Sequence, residues 1–391
     1  MNTKRNAIIA ILLCALLLPS VAGAQTDLAN EVKDELDSQL AKQDLSSWQT
    51  FFGELSPEVR QIWGYESITD MMGGYINGEV DTQYESKLNA LVGLLLASIK
   101  RNMAALGMVF AIALISGIIG VLLDDDDKQD IKAITSFVCF GMYVVVISYL
   151  VASLVNTANE AITRLSGFTE VATPVIATML AATGNVSAGG IVRPLTVFMS
   201  QTVTGFFKTV IMPLILSGAV IAVTGNLTGK SKLTHLYGSI KTIIKWLIGM
   251  VFTVFLGLVS IQGISVSGMD SISIRTIKYT LDKTLPVVGS AVSGTFDTAR
   301  GCAVLVKNAA GITAMLVGIG CILLPLLQIA GTSLALKLSA AVCEPIADER
   351  MSGMIDKVAD ICSYLMAAVI VIGLMFLIML GLFIATGSMA V

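Results

Sequence analysis

The chain has 391 residues, of which 55% are apolar and only 14% charged, with a mean hydropathy of +0.81. A soluble globular domain carries roughly 25% charged residues, so a water-soluble single-domain enzyme is excluded, as is a disordered or collagenous chain with only 8 prolines and no three-residue glycine period. The net charge of −3 favours neither a nucleic-acid binder nor a strongly acidic adaptor, which leaves an all-α polytopic membrane protein.

Residues 1–24 read as a signal peptide. Lys4 and Arg5 form a positive n-region, Ala7 to Leu18 an apolar core, and Ala22-Gly23-Ala24 a small-x-small cleavage pattern. The alternative is an uncleaved first helix, which also exports the segment after it. The five cysteines beyond Cys14 (Cys139, Cys302, Cys321, Cys343, Cys362) lie in or beside apolar segments and form no CxxC pair. Segment 25–101 has none, so no disulfide framework is expected there, and buried apolar thiols are the expectation elsewhere.

Residues 25–101 read as an acidic helical extracytoplasmic domain, with 13 acidic and 6 basic residues. Leu28, Val32, Leu36 and Leu40 recur at a helical period. Ser56-Pro57 reads as an N-cap with proline at the first helical position, and Gly73-Gly74 and Asn77-Gly78 read as turns. Trp48, Phe51, Phe52, Trp63 and Tyr65 are expected to form a small core or a docking surface for a partner.

The membrane domain, 102–391, is expected to hold six to eight transmembrane helices. Leu88–Ile99 is too short to span a core of about 30 Å and leads into the first span, Met103–Leu123. The second is Ile134–Val155, after an acidic loop at 124–132. Four consecutive aspartates suggest a divalent cation, but calcium loops alternate their ligands and need a turn glycine, so a solvated loop is the reading adopted.

Segment 171–225 holds short apolar pieces interrupted by Pro174, Pro194, Pro213 and Lys208. Broken or re-entrant helices, as in transporters, and plain kinked packing both fit this pattern. Gly225–Lys245 then carries Lys230, Lys232, Lys241 and Lys245 with no acid and the single histidine, His235, so it is placed in the cytoplasm. Further spans are expected at Trp246–Ile264, Ala309–Ile329 and Cys362–Thr386. With 25–101 exported, parity puts 156–170 outside and the C-terminus outside. Lys100 and Arg101 then fall on the exported side, against the usual bias.

Segment 285–296 is too short to span and too apolar for a solvated loop. Pro286, Gly289 and Gly294 make it a candidate re-entrant or subunit-interface element, with a buried loop as the alternative. No HExxH, Walker A or Rossmann glycine pattern occurs, and a lone histidine cannot complete a nucleophile relay, so no enzymatic activity and no cofactor are expected. Intramembrane charge separates a structural subunit from a permease, and Lys208 and Lys307 are the candidates, each either functional or snorkelling from a helix end.

The stretches LDKTLPVVGSAVSGTFDTARGCAVLVKNAAG (281–311) and CILLPLLQIAGTSLALKLSAAVCEPIADER (321–350), with the final span, resemble the stage III sporulation protein AE family. The resemblance adds Pro345, Asp348, Glu349 and Arg350 as interface candidates. It implies a non-enzymatic subunit of the mother cell–forespore transenvelope channel complex, in the mother-cell membrane around the forespore. The implied partners are other proteins of the stage III sporulation A operon and a forespore-side channel partner; membrane lipid is expected around the spans and nucleic acid is not. The alternative is a solute permease or export-gate component that itself forms the conduit.

Overall fold

In lipid no water is available to satisfy the backbone, so long apolar runs fold as helices that close their own hydrogen bonds. The computed structural model describes residues 45–77, 84–122, 129–183, 186–228, 231–266, 289–343 and 349–385, and among these it contains helices and no strand. Three short helices come first: α1 (Ser46–Gly53), α2 (Pro57–Trp63) and α3 (Ile68–Asn77). The longer elements are α4 (Tyr84–Leu122), α5 (Gln129–Ala182), α6 (Val186–Phe206), a π-helical segment (Phe207–Ile211), α7 (Met212–Thr228), α8 (Ser231–Val266), α9 (Gly289–Cys343) and α10 (Glu349–Ala385). This is an all-α polytopic membrane protein.

The crossings rest on five helices long and apolar enough to span, at Phe137–Ala182, Thr196–Gly225, His235–Ile261, Arg300–Ala341 and Gly353–Leu382. A shorter apolar stretch, Gly107–Ile119, lies on α4. Between 171 and 228 the chain does not break into three pieces. It ends α5 at Ala182, resumes as α6 at Val186 and runs to Thr228 through the π segment. Pro174 and Pro194 sit inside helices rather than ending them. Proline removes one backbone donor, which packed neighbours and Ser/Thr side chains tolerate in a membrane. This stretch therefore contributes one crossing, not three.

Helices α5 and α9, with 54 and 55 residues, are each about 80 Å long at 1.5 Å per residue, well beyond a bilayer core. Residues 156–170 are thus not a loop. Their polar run keeps a helical period because Ala158, Ala161, Ile162 and Leu165 are buried against the bundle. Residues 289–296 are likewise helical, as the opening turns of α9, and the lysine-rich stretch is helical in α7 and α8 apart from 229–230, which lie outside the described residues.

The described part of 25–101 has no core of its own. Trp48 and Phe52 are fully buried, in one cluster with Phe168, Ala172 and Ile176 of α5 and Cys302, Val306 and Ala310 of α9. The Trp48 and Phe51 rings meet Phe168 edge-on at 5.9 and 5.7 Å, and Trp48 Nε1 donates to the Val171 carbonyl at 3.3 Å. Ser56 caps α2 by accepting from the Val59 amide at 3.3 Å, and Gly64 ends it in a left-handed conformation (φ 76°). Gly73 and Gly74 lie inside α3, not in a turn; Gly74 packs under Tyr65, whose Oη would stand 2.7 Å from an added Cβ. The signal segment, the 28–40 periodicity and Gly78 lie outside the described residues, as does the four-aspartate run.

Arg300 Nε donates to the Thr183 carbonyl at 3.1 Å, which sets the start of α9 beside the α5–α6 turn. Across the bundle, Tyr237 Oη donates to the Lys357 carbonyl at 3.0 Å and Lys241 pairs with Asp360 at 2.6 Å. The lysine-bearing start of α8 therefore faces the start of α10, at the end of the bundle away from the α5–α6 turn. Cys139, Cys302, Cys321 and Cys362 are free and buried.

Candidate functional site

The polar run Asn156-Thr157-Ala158-Asn159-Glu160-Ala161-Ile162-Thr163-Arg164 lies mid-helix in α5. Residues three and four apart share a helix face. Asn156, Asn159, Glu160, Thr163 and Arg164 therefore form one stripe, and Ser153, Thr157, Glu160 and Arg164 a second. Each stripe borders a cavity, and Glu160 and Arg164 stand on the ridge between the two.

The first cavity, about 320 Å³, lies between α5 and α9. Ser153, Thr157, Glu160 and Arg164 face Gly320, Cys321, Pro325 and Gln328, while Leu55 and Ser56 of the α1–α2 turn cover one side. Pro325 has no amide hydrogen, so the Cys321 carbonyl lacks its usual helical donor. Leu55 seats closely here because residue 320 is glycine; an added Cβ would lie 2.9 Å from Leu55 Cδ1.

The second cavity, about 580 Å³, is lined by Asn156, Asn159, Glu160, Thr163, Arg164 and Lys208. Lys208 reaches it from the π segment, where the wider turn inserts one residue and rotates the next part of the chain relative to a regular helix. Gly205 accepts from the Thr209 hydroxyl across the same turn. Ser166 and Ser200 hydroxyls, 3.5 Å apart, tie α5 to α6 nearby, and Gln201 Nε2 donates to Glu170 at 3.3 Å. Asn159 Oδ1 is buried without a hydrogen-bond partner among the described residues.

Of the charge and interface candidates singled out in the sequence, Lys208 lines the second cavity; the N-cap Ser56 and Cys321 line the first. Lys307 is fully buried inside α9 rather than reaching an interface. Gly289 and Gly294 lie in the first turns of α9, and Glu349 and Arg350 open α10. Pro286, Pro345 and Asp348 lie outside the described residues. Glu160 and Arg164 escape sequence reading because the apolar run stops at Val155 and hydropathy places the helix end there. Their signal is the i, i+4 spacing of two opposite charges over continuing buried positions.

The sequence matches a known protein over nearly its whole length. A relative from Bacillus subtilis (strain 168), "Stage III sporulation protein AE", is 24% identical over 386 residues, covering 98% of this chain and 97% of that protein. No solved structure matches. Residues 66–387, from the turn before α3 to past the end of α10, match the family described as Stage III sporulation protein AE. With its helical multi-span body matched almost end to end, the chain belongs to the Stage III sporulation protein AE family of sporulation proteins.

Proposed function

We propose that the protein is a non-enzymatic membrane subunit of the mother cell–forespore transenvelope channel complex, supporting late forespore gene expression during and after engulfment. The observation that carries this reading is the family match over 66–387, which joins α3 and the multi-span helices in one unit. Its partners on this reading are other proteins of the stage III sporulation A operon and, directly or indirectly, the forespore-side channel partner. Its place is the mother-cell membrane around the forespore. The packing of α1–α3 onto α5 and α9 supports the reading, because it offers extracytoplasmic partners a surface fixed to the membrane body.

The test is deletion in the native host with a tagged full-length copy restored. The deletion should abolish late forespore reporter expression and heat-resistant spores, and the tagged protein should co-purify with operon proteins. Normal spores after deletion would overturn the reading.

A second reading, a permease or export gate that itself forms the conduit, is favoured by the meeting of Lys208, Glu160 and Arg164 at the second cavity. On that reading Lys208→Met leaves assembly intact and changes passage; on the first, passage survives whenever assembly does.

A further inference from the structure

The outward stripe of α5 changes character along its length. Val138, Met142, Val145 and Tyr149 recur at spacings of three and four, and are 53%, 49%, 68% and 73% exposed. An exposed apolar stripe on a spanning helix is a lipid face, and aromatic residues such as Tyr149 favour its water boundary. Two turns further on the same stripe becomes Asn156, Glu160 and Thr163, with Arg164 beside it. The opposite wall repeats the change: Val220, Leu216 and Val210 are exposed and apolar, and Lys208 is the first charge beyond them. The second cavity therefore opens where both exposed apolar stripes give way to polar residues, the level at which headgroups would meet the protein.

We propose that this cleft binds the phosphate group of an anionic headgroup, held by Arg164 and Lys208. The lining carries two cations and one carboxylate, a net charge of +1. Neither cation forms an ion pair among the described residues, and an arginine fork beside a lysine point charge suits a phosphate. Thr163, Asn156 and Asn159 add hydrogen-bonding groups. A merely solvated polar face would spread over a convex surface. Here the charges border one shallow, open depression of about 580 Å³, and a π turn brings Lys208 to it. Basic pockets between spanning helices are suited to such headgroups. The proposal is independent of which functional reading holds.

The test uses the full chain in nanodiscs of phosphatidylcholine containing a minor share of phosphatidylglycerol. Lipid retained on the protein is counted by native mass spectrometry. Phosphatidylglycerol should be enriched on the wild type, and the enrichment should fall about tenfold or more in K208Q/R164Q, since each basic contact with an anionic lipid surface contributes about one kcal/mol. Glu160→Gln, which removes the opposing charge, should raise it. A parallel arm adds glycerol phosphate to protein in pure phosphatidylcholine and follows Tm. A rise in the wild type that K208Q/R164Q lacks, without lipid enrichment, assigns the site to a soluble phosphate ester. Where the double variant fails to insert, the single variants K208Q and R164Q are read instead. Equal lipid retention by wild type and variants, with no effect of glycerol phosphate on either, overturns the proposal.

Discussion

Gly331 shows what single positions decide in this bundle. An added Cβ there would stand 3.1 Å from Ile99 Cγ1, 3.5 Å from the Ile99 amide nitrogen and 3.6 Å from the Leu95 carbonyl. The neighbour is therefore largely backbone and cannot rotate away. Small residues let helix backbones approach closely in lipid, where packing rather than water release drives association. Gly331→Leu should cost about 1–3 kcal/mol by overpacking and separate α4 from α9. Gly257→Leu on α8, where nothing lies within 4 Å, should be close to neutral. Thermal unfolding of the two purified variants checks the contrast, and equal Tm values would refute the close approach. Gly373 on α10 differs in meeting only a side chain, that of Ile322 on α9.

Helices α1–α3, in the segment predicted to be exported, all pack on the membrane body, and α1 and α2 form one part of that contact. Their hold rests on Trp48 and Phe52, both fully buried, and on Leu55 seated at Gly320. Truncating a buried tryptophan costs about 3–5 kcal/mol through lost transfer and the cavity left behind. Trp48→Ala should therefore release α1 and α2 while the spanning helices stay folded, because the larger core that contains Tyr143, Ile215 and Leu365 does not include Trp48. Limited proteolysis near Glu54–Ser56 should become rapid in this variant and stay slow in the wild type. Protection in both would mean that α1 is held by something other than its aromatic anchor. At the same scale, the π segment is what places Lys208; neither its sequence nor its flanking prolines mark it, since a π turn leaves no periodic signature over five residues.

At the scale of the whole molecule, the positive-inside bias predicts that the lysine-rich start of α8 is cytoplasmic. Helices α1–α3 pack beside the first half of α9, toward the α5–α6 turn and away from that end. In a background without native cysteines, Ser47→Cys should react with an impermeant thiol reagent in intact mother-cell membranes and Ser231→Cys should not. Ser47 is exposed on α1, so its failure to label would count against export. The reverse pattern would invert the protein.

Hydropathy alone determined that the chain is helical and multi-spanning, since a bilayer admits few other solutions for runs as apolar as 362–382. The Ser56-Pro57 start of α2 was also legible, because capping is a local interaction between neighbouring residues. Helix ends beyond the spans were not legible. Residues 156–170 read as a loop and 285–296 as re-entrant or interface material, yet 156–170 remain helical because their buried side meets other helices, and 289–296 open α9. The aromatics of 48–65 left both a private core and a docking surface open, and only tertiary packing assigned them to a core shared with α5 and α9. Lys307, which by sequence could have reached an interface, is enclosed for the same reason. The cleft of Glu160, Arg164 and Lys208 joins residues 44 to 48 positions apart in the chain, and such convergence is a property of packing rather than of spacing.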